Sequence, residues 1–190
     1  MHADEELVRW AAGQAKTLLA PLGMRWLHVQ GVVEKAYQVS GILCEAERPY
    51  LVAAAYLHNV GYAPSLQRTG FHPLDGAYYL QSLRYERLAS LVAHHSEARF
   101  EAQLRRGSSE LDLFPRERTA LADALTYSDL TASSTGEGVS LKERVNDILA
   151  LYGEQDIVAQ VLRQSMPYVS LAVARTQRRL CQHEISVRAS

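Results

Sequence analysis

The chain has 190 residues, of which 47% are apolar and 22% are charged; this is the composition of a globular protein, and the length fits one domain with a buried core. The formal net charge of −1 argues against electrostatic binding to DNA or to an acidic membrane surface. No apolar run approaches the ~20 residues of a membrane span. Two widely separated cysteines, Cys44 and Cys181, favour reduced thiols and a cytoplasmic protein.

Apolar residues recur with the helical period along nearly the whole chain, and the alternation typical of strands is almost absent. A first helix is predicted to end near Leu19, before the break at Pro21. The next four helices are predicted over about 24–44, 49–59, 73–83 and 86–98. Two of these begin at a proline, which suits the first turn of a helix. The first half of the chain is therefore predicted to be helical.

The second half follows the same pattern. Residues 105–115 are polar and broken, which predicts a surface connection, and Pro115 is predicted to open the helix "RERTALADALTYSDLTA". Two further helices are predicted, one over 141–152 and a long one from Gln155 that Pro167 should kink or split. The sequence therefore predicts a single all-α domain.

Four polar residues stand where the helical pattern calls for apolar ones: His28, His58, His95 and Asp129. Their spacing from apolar neighbours points each of them inward. A single inward histidine is more often a core residue bonded to a carbonyl, whereas an isolated buried carboxylate needs a cation. If the four converge, three imidazoles and a carboxylate suit iron, manganese or zinc. His72 and His94 would extend the set enough for two ions.

The order of these residues resembles the HD-domain metal-dependent phosphohydrolases. That family has a histidine on one helix, a His-Asp pair that ends an apolar helix, and a later helical aspartate. The corresponding positions here are His28, then His58 with Asn59, then Asp129. The resemblance covers roughly residues 25–152 and implies an HD-type helical bundle over 1–190, with C-terminal helices at 153–182.

The two-metal branches of the family add a histidine in a His-Pro-x-x-Gly context and a His-His pair. The sequence has "HPLDGA" at His72 and "AHHSE" at His94 and His95, in the same order. The Gly-Tyr-Pro motif that follows the His-His pair in the two-metal cyclic-dinucleotide phosphodiesterases is missing. The resemblance to those enzymes is therefore limited to the metal ligands.

Asn59 departs from the family pattern, since the paired residue there is an aspartate that binds or bridges the ions. Asparagine keeps the shape and one carbonyl oxygen but loses the negative charge. Because two divalent cations repel each other, loss of this charge should weaken the binding of the second ion most. A divalent ion (iron, manganese, zinc or magnesium) is expected, with one ion or none rather than two. The chain is then a degenerate ligand-binding member, a one-metal enzyme or an inactivated variant.

Substrate phosphate needs positive charge near the ions. The candidates are Arg25, Arg68, Lys142 and Arg144. Glu97, beside the His-His pair, is a candidate for orienting an imidazole. Each of these residues has the alternative interpretation of a solvated charge or a helix-end pair.

The resemblance implies a hydrolase that acts on a nucleotide or another small phosphoester. The alternative is a non-catalytic degenerate HD domain that senses a nucleotide or a metal, and a third is a structural protein with core histidines. The expected partner is a small phosphorylated molecule, with no DNA and no membrane, for a chain that acts as a monomer or a homodimer. Bound metal would exclude the structural alternative, and turnover would separate the first two.

Overall fold

A computed structural model describes residues 2–106, 108–153 and 155–188. These residues form ten α-helices, linked by loops and short 3-10 turns. Within this part of the chain there is no strand, only an isolated bridge between Ala132 and Gly138. The all-α prediction is therefore confirmed. None of the described helices is long and apolar enough to cross a membrane, and Cys44 and Cys181 are exposed and unpaired.

In chain order the helices are α1 (His2–Leu19), α2 (Met24–Val39), α3 (Arg48–Leu57), α4 (His72–Ser82), α5 (Glu86–His94), α6 (Arg99–Leu104), α7 (Ser108–Leu111), α8 (Ala120–Leu130), α9 (Leu141–Tyr152) and α10 (Ile157–Arg188).

Helix α3 is the central element of the fold. Seven of its ten residues are buried, as expected for its "LVAAAYL" sequence, which is apolar on every face. It packs against α1, α2, α5 and α8, while α4 packs on α5 and α10 lies against α8. Because α2, α3 and α8 are mutual neighbours, polar residues on their facing sides meet inside the protein.

Two predicted helices have different bounds in the structure. The helix predicted over 86–98 ends at His94, because Ser96 and Glu97 adopt left-handed φ angles of 49° and 61°, which L-residues rarely adopt and which turn the chain. The helix predicted from Pro115 begins at Ala120 instead. Its cap is Thr119, whose hydroxyl accepts a hydrogen bond from the backbone N–H of Ala122 at 3.3 Å.

Three further predictions need correction. The helix predicted to end near Cys44 ends at Val39 and continues as a 3-10 turn. Residues 105–115 are not a purely exposed connection, since they include the short helix α7 and bury Leu111 and Phe114. Pro167 lies inside α10 without splitting it, so that long helix stays continuous.

Close backbone contacts hold the loop after α8 against α2. A Cβ atom on Gly31 would overlap the carbonyl oxygen of Gly136, and one on Gly136 would lie 2.5 Å from the carbonyl oxygen of Leu27. Gly136 also has a φ of 89°, which favours glycine. The glycines therefore let this loop approach the helix that carries His28.

Replacing Gly61 with alanine is expected to destabilise the protein and to displace α4. A Cβ at position 61 would overlap the carbonyl oxygen of His72 and lie 2.6 Å from the backbone nitrogen of Gly76. Overpacking of this kind typically costs about 1–3 kcal/mol, and each kcal/mol lowers the Tm by about 2–4 °C for a chain of this length. Thermal unfolding followed by circular dichroism measures the change.

The matched control is Gly13→Ala in α1. A Cβ on Gly13 meets nothing within 4 Å, so alanine should stabilise that helix by about 1 kcal/mol. A Gly61→Ala variant that is as stable as the wild type would show that α4 can move away without cost.

Candidate metal centre

Three helices each contribute one side chain to a buried cluster. His28 comes from α2, His58 directly follows α3, and Asp129 lies near the end of α8. One ligand atom of each lies within 4.8 Å of the others. Asp129 Oδ1 is 3.0 Å from His28 Nε2 and 3.7 Å from His58 Nε2. The structure therefore brings together three of the four residues that the sequence placed on inward faces, and this group could hold a metal ion.

Backbone carbonyls set the orientation of three imidazoles. The Nδ1 atoms of His28, His58 and His95 lie 2.9, 2.7 and 2.6 Å from the carbonyl oxygens of Ser133, Ala55 and Val92. Because a carbonyl only accepts a hydrogen bond, each Nδ1 carries the proton, and in a neutral ring Nε2 keeps its lone pair. Metal-binding histidines are commonly oriented by such a hydrogen bond.

The cluster leaves lone pairs facing one another. In the neutral ring His28 Nε2 presents a lone pair to Asp129 Oδ1, and such an arrangement needs a proton or a metal cation between the two atoms. His58 Nε2 is buried and has no hydrogen-bond partner. Burial, only partly offset by Asp129, lowers the pKa of His58 to about 3. At neutral pH this nitrogen is therefore an unprotonated, unpartnered lone pair, which is what a metal ligand requires.

Asp129 is the ionised member of the cluster. Burial by itself raises the pKa of this carboxyl, but the close contact with His28 and the surrounding imidazoles outweigh burial and hold the pKa well below its usual range. Ser96 donates its hydroxyl to Asp129 Oδ2 at 2.5 Å. One carboxylate oxygen is thus held by Ser96 and the other faces the imidazoles.

Two more histidines lie beside this cluster. The ring centroids of His58 and His95 are 5.3 Å apart, as are those of His95 and His72. The Nε2 atoms of His72 and His95 face each other at 3.4 Å. Burial, together with His95 and Arg25, lowers the pKa of His72 well below its ordinary value. Both imidazoles therefore extend the cluster toward α4.

His94 and Glu97 do not take the predicted positions. His94 Nε2 donates to the carbonyl oxygen of Phe114 at 2.7 Å, and its ring lines a second cavity. Neighbouring helical residues point about 100° apart, so only one histidine of the pair faces the cluster. The Glu97 carboxylate accepts hydrogen bonds from Arg99 and Arg116 and, within the described part of the chain, makes no hydrogen bond to an imidazole. Backbone carbonyls, and not Glu97, orient the rings.

A cavity of about 310 Å³ opens at the cluster. His28, His72, His95 and Asp129 line one end of it, and Asn59 lies beside them. Asn59 is only 5% exposed. Among the described residues its side chain has no hydrogen-bond partner. The amide therefore faces the same space as the histidines.

Two of the four basic candidates line this cavity. Arg25 lies over the Tyr62 ring, 3.3 Å from its centroid, and donates to the Tyr152 hydroxyl at 3.0 Å. Arg144 has a side chain that is 11% exposed and pairs with Asp147 at 2.7 Å. Its Nε atom is buried and has no partner. Such a donor can bind an anion that enters the cavity.

The other two basic candidates lie elsewhere. Arg68 and Lys142 are exposed and neither lines the cavity. Arg68 lies over the Tyr78 ring at 5.5 Å. These two residues therefore fit the alternative of solvated surface charges.

Sequence reasoning did not find two residues of the site. Ser96 directly follows His95 in the "AHHSE" motif, which was the only available signal for its contact with Asp129. Tyr62 stacks on His72 with ring centroids 4.0 Å apart, and the pattern near "NVGY" gave no sign of this contact. Both depend on how the chain turns after a helix.

The chain matches no family model, no curated protein and no solved structure.

Proposed function

We propose that this chain is a metal-dependent phosphohydrolase that acts on a small phosphoester. The observation that carries the proposal is the buried, unpartnered Nε2 of His58 beside the ionised Asp129. A cavity lined by arginines adjoins these two residues. A cation site next to a place for an anion is the arrangement that phosphoester hydrolysis requires.

The charges that line the cavity favour the binding of an anionic ligand only when a divalent metal ion is also bound. Two arginines, Arg25 and Arg144, and two carboxylates, Glu101 and Asp129, line it. With neutral imidazoles these four charges sum to zero, and a divalent ion raises the sum to +2. A phosphate dianion is then matched in charge. Anion affinity should therefore depend on prior binding of the ion.

Each residue of the site would have a separate role. His28, His58 and Asp129 would hold the ion, and the carbonyls behind the imidazoles would keep their Nε2 atoms directed inward. A divalent ion of this kind polarises a phosphoryl oxygen and activates water. The Arg144 guanidinium would bind the phosphate through its unpaired Nε–H.

The alternative of a non-catalytic sensor is favoured by one observation. Asn59 places a neutral amide where a second carboxylate would support a second ion, and its side chain faces the cavity. A sensor would bind the ion and the phosphorylated ligand without turnover. Measured turnover separates the two functions.

The test uses the purified chain, stripped of metal and reloaded in turn with manganese, ferrous iron, zinc and magnesium. Ion content is measured by elemental analysis, and hydrolysis is followed with p-nitrophenyl phosphate and a panel of nucleotides. We expect hydrolysis that requires the ion and stops with a chelator. Binding of the ion and of phosphate without hydrolysis would favour the sensor, and the absence of any bound ion would end both proposals.

A pair of variants tests the phosphate contact. Arg144→Gln removes a charge-assisted hydrogen bond, which typically contributes about 1.5–3 kcal/mol, so kcat/KM should fall about 10–100-fold. Lys142→Gln removes an equal charge from the same helix at an exposed position outside the cavity and should leave kcat/KM unchanged. Equal effects of the two variants would contradict a direct role for Arg144.

A further inference from the structure

One wall of the cavity is aliphatic. Helix α9 contributes Ile148 and Leu151 to it, and α10 contributes Val158, Val161 and Leu162. These side chains carry no hydrogen-bonding group. Leu151, at 56% exposure, is a large apolar residue left open to solvent beside the cavity. A polar group of a ligand placed against these side chains would lose its hydrogen bonds to water without replacement, whereas an apolar group would not.

The one hydroxyl that α10 contributes to the lining is already used. Ser165 of α10 donates its hydroxyl to the carbonyl oxygen of Leu162 at 3.2 Å, within its own helix. Ser134 and Arg144, which also line the cavity, are bonded to Asp147. No free polar side chain on α10 is thus available to a ligand within the lining.

The aromatic residues of the cavity are poorly placed to hold a nucleobase. Tyr62 is stacked on His72 at 4.0 Å and covered by the Arg25 guanidinium at 3.3 Å. Two groups at these distances must lie on opposite faces of the ring, so neither face is open. A base that packed against the aliphatic wall would find no hydrogen-bonding partner among those side chains. Donors and acceptors left unpaired there would weaken binding of a base.

We infer that the substrate of this site is a phosphate ester of a small aliphatic alcohol, and not a nucleotide. The inference rests on the proposed hydrolase function and names its substrate class. The phosphate would lie at the histidine cluster and Arg144, and the alkyl group would lie against α9 and α10. The volume of about 310 Å³ is at the lower end of the ~300–1,000 Å³ range of small-molecule sites, which fits one compact ester.

The experiment compares ethyl, butyl and hexyl phosphate with adenosine monophosphate on the manganese-loaded chain. The alkyl esters differ little in chemical reactivity, so their kcat/KM values report binding of the alkyl group. Burial of one methylene contributes about 0.8 kcal/mol, or about fourfold in kcat/KM. We expect kcat/KM to rise by about that factor per methylene until the cavity is filled, with the nucleotide hydrolysed more slowly than hexyl phosphate.

A double variant, Val158→Thr with Val161→Thr, keeps the shape of the wall and adds two hydroxyls. It should lower the ratio of kcat/KM for hexyl phosphate to that for ethyl phosphate by about fivefold or more. The control is Val187→Thr, at a residue of α10 that is 61% exposed and lies outside the cavity. That substitution should leave the ratio unchanged.

The outcomes distinguish this inference from the proposed function. Suppose that the chain hydrolyses p-nitrophenyl phosphate, but its kcat/KM for the alkyl phosphates does not depend on alkyl length or is lower than that for the nucleotide. That result would overturn the inference and leave the proposed hydrolase function intact. If no ester is turned over, calorimetric titration of the same alkyl phosphates into the metal-loaded chain decides. An affinity that rises with alkyl length would support an aliphatic phosphate ester as the ligand, and an affinity that does not rise would overturn the inference.

Discussion

Replacement of Asp129 by asparagine is expected to abolish the binding of a divalent ion while leaving the fold intact. Its Oδ1 atom lies 3.0 Å from His28 Nε2 and 3.7 Å from His58 Nε2, so Asp129 is the anion on which both imidazoles converge. Asparagine keeps the shape but loses the charge. The loss of affinity should exceed the ~10–100-fold that is typical when only an outer partner of a ligand is removed.

Thermal unfolding with and without manganese measures this loss. An ion that binds only the folded chain stabilises it by about 2.7 kcal/mol at a hundred times its Kd. For a chain of this length the Tm should then rise by roughly 5–10 °C. The wild type should show the rise and Asp129→Asn should not, although the metal-free variant should unfold cooperatively near the metal-free wild type.

Asp123→Asn is the matched control. Asp123 is also buried and also on α8, but it pairs with Arg175 and Arg179 and is not part of the cluster. Its substitution should lower the metal-free Tm and preserve the rise with manganese. An Asp129→Asn variant that gains as much Tm from manganese as the wild type would rule out Asp129 as a ligand.

Replacement of Asn59 by aspartate is expected to raise the ion content of the protein and its phosphoester hydrolysis. Asn59 is 5% exposed and lines the cavity beside the cluster, so a carboxylate there would lie near Asp129 and would offset the repulsion between two ions. We expect the wild type to hold one ion or none and Asn59→Asp to approach two. Because charge stabilisation by a metal contributes several kcal/mol, turnover should rise by roughly tenfold or more.

The same substitution should make the metal-free protein less stable. A buried carboxylate without a cation is costly, whereas the neutral amide avoids that cost. The metal-free Tm of Asn59→Asp should therefore fall below that of the wild type, and its rise on addition of manganese should be larger. Both changes are measured in one set of unfolding curves.

Asn146→Asp controls for the added charge. Asn146 is exposed on α9 and lies outside the cavity, so its substitution should change neither ion content nor turnover. If the wild-type chain already binds two ions tightly and hydrolyses as fast as Asn59→Asp, the interpretation of this asparagine is wrong.

Much of the local structure could be predicted from the sequence because it depends on local interactions. The 3.6-residue apolar period predicted α1, α4 and α9 close to their observed bounds. The same period showed that His28, His58 and Asp129 face inward, since a face of a helix is a property of its own spacing. Errors occurred where a single turn decides the outcome, as at Ser96 and Glu97, whose left-handed φ angles end α5 early.

The sequence by itself thus determined the all-α class, the inward faces of the polar residues and the position of the asparagine. Only the tertiary structure decided which of them meet. His28 and Asp129 are 101 residues apart in the chain yet lie in contact. They meet because the apolar faces of α2 and α8, which are far apart in the sequence, pack together. The tertiary structure also decided whether His94 or His95 faces the cluster and which carbonyl lies behind each imidazole. It likewise formed the aliphatic wall from α9 and α10. Such contacts depend on how whole helices pack, and no local period in the sequence records that packing.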